Sequence, residues 1–342
     1  MPTDYVMFIH GVSTRESAVP PVYANGLFTK IGMYIKKNSA VNAQEPARGL
    51  TSVPLYWGSV GKTIEDELRA KYQKSPLWEN FWFLPFREGI ALQFAGDAAL
   101  YLSRYVGGMI ADKLKADMVT YMGSLDKLQP DSGDRLHIVA HSLGTIILFD
   151  LLFSVRWGKD GQGLPGWKSV QAIREAIYGV EPNWETGIRL GSLTTMGSPL
   201  GLFSLIDVDL SSTDKLIGEK VANTHDVTPR LQKLLERLNT KATEQNEVAV
   251  LPWRNFAHPG DPLASPLLPL IPHLISNPGD YIEVKDCMTT APGDWLFFLI
   301  KRSFIALAHA WAAHTGYWDN AIVADTVGDF ILKSAASRQT AL

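Results

Sequence analysis

The feature that most constrains the fold of this chain is the stretch "LHIVAHSLGTIILFDLLFSV", Leu136 to Val155. Leu136 to Ala140 is a short apolar run of the kind expected of a central strand covered on both faces, and Gly144 to Val155 continues as an almost wholly apolar helix. A strand and a helix that are both apolar all round belong in the middle of a layered structure. Between them stands one serine, Ser142, with Ala140 two positions before it and Gly144 two positions after.

The rest of the chain fits around that unit. Further strands are expected at Tyr5 to Ile9, Val53 to Trp57, Leu190 to Met196 and Glu247 to Leu251, with a helix at Val22 to Lys37. Short apolar strands alternating with longer helical patterns predict an α/β fold with a mostly parallel central sheet and helices on both faces. Tyr72 to Tyr121 is too long for an ordinary connection and reads as a helical insertion over the loop edge of the sheet. Asp207 to Asn246 is more polar and reads as a solvent-facing excursion, and the residues from Ser334 on as a frayed tail. With no internal repeat and no low-complexity linker, residues 1–342 read as one elaborated domain.

Composition narrows the function. Thirty-two basic residues against thirty-five acidic ones leave a net charge of −3, without the basic field that would recruit nucleic acid or anionic lipid. Cys287 is the only cysteine, so an internal disulfide and a cysteine-rich zinc site are both excluded. The sequence holds no HExxH and no complete dinucleotide fingerprint, so no metal and no organic cofactor are expected. "WGSVGKT", Trp57 to Thr63, imitates a phosphate-binding loop, but the first glycine of that pattern is replaced by Tyr56. The opening "MPTDYVMFIHG" reads as a strand rather than an export signal, which makes the cytoplasm the expected location. Charges at Asp97, Arg104, Lys301 and Arg302 interrupt the two longest apolar segments, so no stable membrane span is expected.

A serine hydroxyl is a poor nucleophile until a base takes its proton, and it must be presented without being smothered. A tight strand-to-helix turn does this when the residues two before and two after are small, which Ala140 and Gly144 satisfy. The helix beyond also points its N-terminal amides toward the position where an oxyanion would develop.

Through "AHSLG" and the "HG" that follows the first strand, the chain resembles the α/β-hydrolase superfamily, and within it the lipase and esterase group. Ala140 in place of glycine is its departure from the commonest pattern. The resemblance implies an α/β-hydrolase fold with a helical cap, Ser142 as nucleophile, and an acid and then a histidine following in chain order. Of the eight histidines, His10, His137 and His141 come too early; His225, His258, His273 and His309 fit less well than His314, which closes a helix in "AHAWAAHTGYWDN" and enters a loop marked by Gly316. For the acid the resemblance favours Asp261, in a Gly-Asp-Pro turn of "VAVLPWRNFAHPGDPLA", with Asp280 and Asp286 as rivals and Asp207 as a weaker one. It further implies an oxyanion hole formed by the amides of Val12 and Leu143. Ser198, in "TTMGSPLG", is a poor second nucleophile, because Pro199 has no amide to offer at the next position.

The expected activity is therefore carboxylesterase or lipase chemistry on a small-molecule or lipid-like ester, through an acyl-enzyme. Acyl transfer and thioester cleavage use the same parts. The aromatic stretch Trp78 to Phe86, with Phe81, Trp82, Phe83 and Phe86, is either core or the lip of an acyl cleft; "PLASPLLPLIPHLI", Pro262 to Ile275, adds apolar surface near the acid. The contrasting class is a catalytically silent binding protein of the same fold, which would keep the cleft without needing serine, acid and histidine together.

Overall fold

The computed structural model describes residues 1–12, 14, 18–39, 48–80, 96–97, 101, 103–203, 227–245, 250–289 and 305–336. Six strands form one sheet: β1 (Thr3–Ile9), β2 (Gly49–Leu55), β3 (Arg135–His141), β4 (Arg189–Met196), β5 (Leu251–Ala257) and β6 (Ile282–Met288). Their order across the sheet is β2-β1-β3-β4-β5-β6, and every neighbouring pair is parallel. Alternation along β1 shows why the inner strands read as continuous apolar runs. Val6 and Phe8 enter one core, and Met7 and Ile9 enter the other.

Helices cover both faces. On one side α1 (Asn25–Ser39) packs against the C-terminal helix α8 (Ala321–Ala336), so that Leu27 and Ile31 meet Val323, Ala324 and Val327 over Val6, Phe8 and Val139. After α2 (Lys62–Gln73), the opposite face carries α3 (Arg104–Met122), α4 (Leu143–Phe153), α5 (Trp167–Glu175) and α6 (Thr228–Glu244). All eleven residues of α4 are buried, as its almost wholly apolar sequence requires, and its one charge, Asp150, is paired with Tyr101, Arg156 and Trp157.

Two long stretches do more for the core than their composition suggests. The second half of Tyr72 to Tyr121 is α3, which lays Val106, Ile110, Leu114 and Met118 on the sheet. The second half of Asp207 to Asn246 is α6, an amphipathic helix that buries Leu231, Leu234, Leu235 and Leu238 while its charged residues face out. Charge on the outer face hid a leucine stripe at helical spacing. Phe81, Trp82, Phe83 and Phe86 of the aromatic stretch lie outside the described residues, as do Asp207 and His225; Trp78 is half-buried and stacks on Tyr72 at 5.4 Å.

The strand expected at Glu247 to Leu251 runs instead from Leu251 to Ala257. Pro252 and the polar pair Arg254–Asn255 disguise it. Pro252 is tolerated because β4 pairs with β5 only from Trp253 onward. Asn255 is buried with its amide paired, since its Nδ2 donates to the Ser265 carbonyl (2.9 Å) and to Asp286 (2.7 Å) and its Oδ1 accepts from Thr195 (2.8 Å). β6 escaped prediction altogether: it is an edge strand whose sequence, "IEVKDCM", carries charges on its open side. The second strand ends at Leu55 rather than Trp57, whose ring turns back onto His10.

The strand order sets where a ligand site can lie. From β1 the chain steps outward to β2, then returns past β1 to β3 and continues the other way, so the winding reverses between β1 and β3. In open parallel sheets the crevice at the carboxyl ends of such a strand pair is the place for a ligand. The residues that leave those ends are His10, Gly11 and Val12 after β1, and Ser142 after β3.

Candidate active site

Ser142 sits on the tight turn between β3 and α4 at φ 53°, ψ −133°, a backbone conformation ordinarily left to glycine. The turn is held in place by two hydrogen bonds. The Ser142 amide donates to the Met196 carbonyl at the end of β4 (2.9 Å), and the Ser142 carbonyl accepts from the Thr145 amide (3.0 Å). Gly144 is compulsory, because a methyl on its α-carbon would stand 2.4 Å from the His10 carbonyl oxygen.

Three residues brought from the turn after β3, from the loop after β5 and from α7 (Ile305–Thr315) meet here. The Oγ of Ser142 lies 2.8 Å from Nε2 of His314, although 172 positions separate them in the chain. On the other side of the ring, Nδ1 of His314 is 2.9 Å from both Oδ1 and Oδ2 of Asp261. An ionised carboxylate only accepts, so Nδ1 carries the proton and Nε2 offers its lone pair to the serine hydroxyl. His314 belongs to the last turn of α7 rather than to the loop beyond it, so its position is set by a helix.

The carboxylate is fully engaged. Besides His314, it accepts from the amides of Leu263 (2.9 Å) and Ala264 (3.3 Å) at Oδ1 and from the Tyr317 hydroxyl (2.8 Å) at Oδ2. Burial pushes the Asp261 carboxyl upward, but the hydrogen bond and charge of His314, with those from Leu263 and Tyr317, outweigh it and hold the group below the ordinary carboxylate value. Tyr317 moves in the opposite sense: burial and then the charge of Asp261 raise its phenol well above the usual value, so it remains a donor. Ser142, His314 and Asp261 are 0%, 2% and 6% exposed, so these interactions act away from bulk water.

The turn after β1 closes the other side. Gly11 lies against Ser142, and Val12 follows it, 5% exposed. Leu143 is the first residue of α4, where an amide has no carbonyl of its own helix to bond. His10 shapes this turn. Its Nε2 accepts from the Trp57 amide (3.1 Å), which leaves the proton on Nδ1 to be donated to the Gly11 carbonyl (2.7 Å). The Trp57 indole stacks on the same ring at 5.1 Å and donates to the His10 carbonyl at 2.9 Å.

The rival candidates have other partners. Asp286 accepts from Asn255 and from the amides of Leu267 and Leu268, and so fastens β6 to the apolar segment after Asp261. Asp280 stands in a short turn before β6. The Nδ1 of His258 accepts from the Gly260 amide, and His137 pairs through Nδ1 with Ser192 (2.8 Å) inside the sheet, with Asp4 3.6 Å from its Nε2. That last cluster holds the same three residue types as the site at Ser142, but all three are buried at 1% exposure or less within the strands, away from the sheet's carboxyl ends. The Ser198 hydroxyl accepts from the Leu200 amide at 3.2 Å.

Three contributors were not foreseen. Tyr317 shares Asp261 with His314. Gly197, at φ +54°, passes so close that a methyl there would stand 2.6 Å from Asp261 Oδ2 and 3.1 Å from His314 Nδ1. His141, set aside as a base, hydrogen-bonds to the His314 main chain. Only Gly197 left a signal in the sequence, a glycine at a strand end in "TTMGSPLG".

No protein-family model matches the chain, and no curated protein matches it. Among the described residues, no group of three or more His, Cys, Asp or Glu is placed to hold a metal ion, and no helix is long and apolar enough to cross a membrane.

Proposed function

We propose that this chain is a serine hydrolase of carboxylic esters, of the α/β-hydrolase type, that works through an acyl-enzyme. The observation that carries the reading is the unbroken hydrogen-bonded series Asp261–His314–Ser142 at the reversal point of a parallel sheet, with its serine on a strained strand-to-helix turn. In this reading Ser142 Oγ attacks the ester carbonyl carbon while His314 Nε2 takes the hydroxyl proton. Asp261 keeps the imidazole in the tautomer that makes this possible and offsets the positive charge it gains. The oxygen of the tetrahedral intermediate meets the amides of Val12 and Leu143, each such donor being worth roughly 3–4 kcal/mol in the barrier. Collapse breaks the ester C–O bond, His314 returns the proton to the departing alcohol, and water then releases the acid by the same steps.

Apolar acyl or aromatic esters are the proposed substrates. The apolar residues of the segment after Asp261 and of the strand-end turns support that choice over charged compounds. The test is a p-nitrophenyl ester series of increasing acyl length on the wild type and on Ser142→Ala, with fluorophosphonate labelling of the folded protein. Turnover confined to the wild type, with the label on Ser142, is the expected result. Hydrolysis that survives Ser142→Ala, or a folded wild type that takes no label, overturns the reading.

A further inference from the structure

His141 stands next to the nucleophile in sequence yet turns away from its hydroxyl. Its Nε2 is 2.6 Å from the main-chain oxygen of His314, and a carbonyl can only accept, so Nε2 carries the proton. That carbonyl is in the last turn of α7, where the helix supplies no amide to bond it. The other ring nitrogen, Nδ1, is buried with no partner among the described residues. If the space required only bulk, an apolar side chain would fill it without stranding a nitrogen. What an imidazole adds is the single donor aimed at His314. Packing restricts it further: the ring lies 4.7 Å from the His314 imidazole, 5.8 Å from Tyr317 and 5.6 Å from Trp318.

We infer that His141 is a positioning residue for the base: by donating to the His314 carbonyl it fastens the end of α7 to the strand that presents Ser142. The imidazole then has two independent supports. Asp261 fixes the ring through Nδ1, and His141 fixes the backbone from which the ring hangs. Burial, followed by the neighbouring His314, lowers the His141 imidazole to about 3, so it stays neutral and keeps its Nδ1 unprotonated over any working pH. The distance between Nε2 and Oγ is thereby tied to the elbow rather than to the loops between.

This inference rests on the proposed roles of Ser142 and His314, and its test separates the two. In protein labelled with 15N-histidine, solvent exchange of the His314 Nδ1 proton is followed in the wild type, in the donor-free variants His141→Phe and His141→Met, and in His141→Gln, which returns an N–H near the Nε2 position. Kinetics with p-nitrophenyl esters run in parallel. Expected is exchange faster by roughly tenfold or more in the donor-free variants, with kcat lower by roughly tenfold, KM within about twofold, and most of both effects recovered in His141→Gln. Exchange that stays at the wild-type rate in whichever donor-free variant melts cooperatively, or a glutamine that does no better than phenylalanine or methionine, overturns it. A wild type that hydrolyses no ester sinks the functional reading alone, because proton exchange still decides whether His141 holds His314.

Discussion

Gly11 and Ser142 are in contact across the gap between β1 and β3: a methyl on the glycine α-carbon would stand 2.4 Å from the serine Cβ and 3.0 Å from its Oγ. The turn after the first strand and the turn that carries Ser142 are therefore fitted to each other, with no room for a side chain at Gly11. Gly11→Ala is expected to force them apart, with a stability loss of about 1–3 kcal/mol from overpacking and a fall in kcat/KM of about a hundredfold, since displacements near 1 Å cost that much. Thermal melting and ester kinetics on the same preparation check it. Ala140→Gly, which only removes a methyl from the elbow, is the matched control and is expected to stay within several-fold of wild type.

Tyr317→Phe deletes one hydroxyl that donates to Asp261 and accepts from the His258 amide. Hydrogen bonds to charged groups contribute roughly 1.5–3 kcal/mol, of which the transition state uses part, so kcat is expected to drop about tenfold with KM little changed. Loss of a donor to the ionised form also raises the Asp261 carboxyl toward its ordinary value. The acid limb of the kcat/KM profile should move to higher pH; a profile that keeps its shape argues that the hydroxyl supports only the fold.

Gly197→Ala tests whether the floor beneath the carboxylate must be bare. Its φ of +54° disfavours any side chain by about 1–2 kcal/mol, and the new methyl would press on Asp261 Oδ2 rather than on a movable chain end. Expected is a folded protein with a lower melting temperature and little ester turnover. Activity within a few-fold of wild type would show that Asp261 has slack.

Asp261 makes stability depend on pH in a defined direction. Its folded-state carboxyl lies below the ordinary value of 3.8, so the unfolded chain takes up the proton first as pH falls. The stabilisation is complete above about pH 5 and is lost as the solution passes below 3.8 and through the folded value. Asp4, held low against burial by His137 and Arg48, contributes with the same sign. Urea unfolding of wild type and Asp261→Asn should therefore differ more at pH 6 than at pH 3. An equal gap at both would show that the carboxylate is not held low.

Legibility in the sequence was uneven for a physical reason. β1 and β3, covered on both faces, announced themselves as short apolar runs, and the small residues around Ser142 marked its turn by their spacing alone. β5 and β6 did not, because Pro252, Asn255 and the charges of an edge strand break the apolar pattern that prediction relies on. Buried Asn255 is explained only by Thr195, Ser265 and Asp286, none of them its neighbours in the chain. Likewise α6 showed its charges, while the leucines that fasten it to the sheet stood out only once the face they cover was known.

Local residue types and spacing sufficed for what is local: an α/β sheet and one serine on a tight strand-to-helix turn; the short set of acids and histidines in an allowed chain order came from the resemblance. Chain order did not distinguish Asp261 from Asp280 or Asp286, nor show that His141 bonds to the main chain of His314 rather than to its own neighbour Ser142. Those outcomes depend on distances between segments 53 and 173 residues apart, which only the assembly of the sheet and the packing of α7 across its carboxyl edge decide.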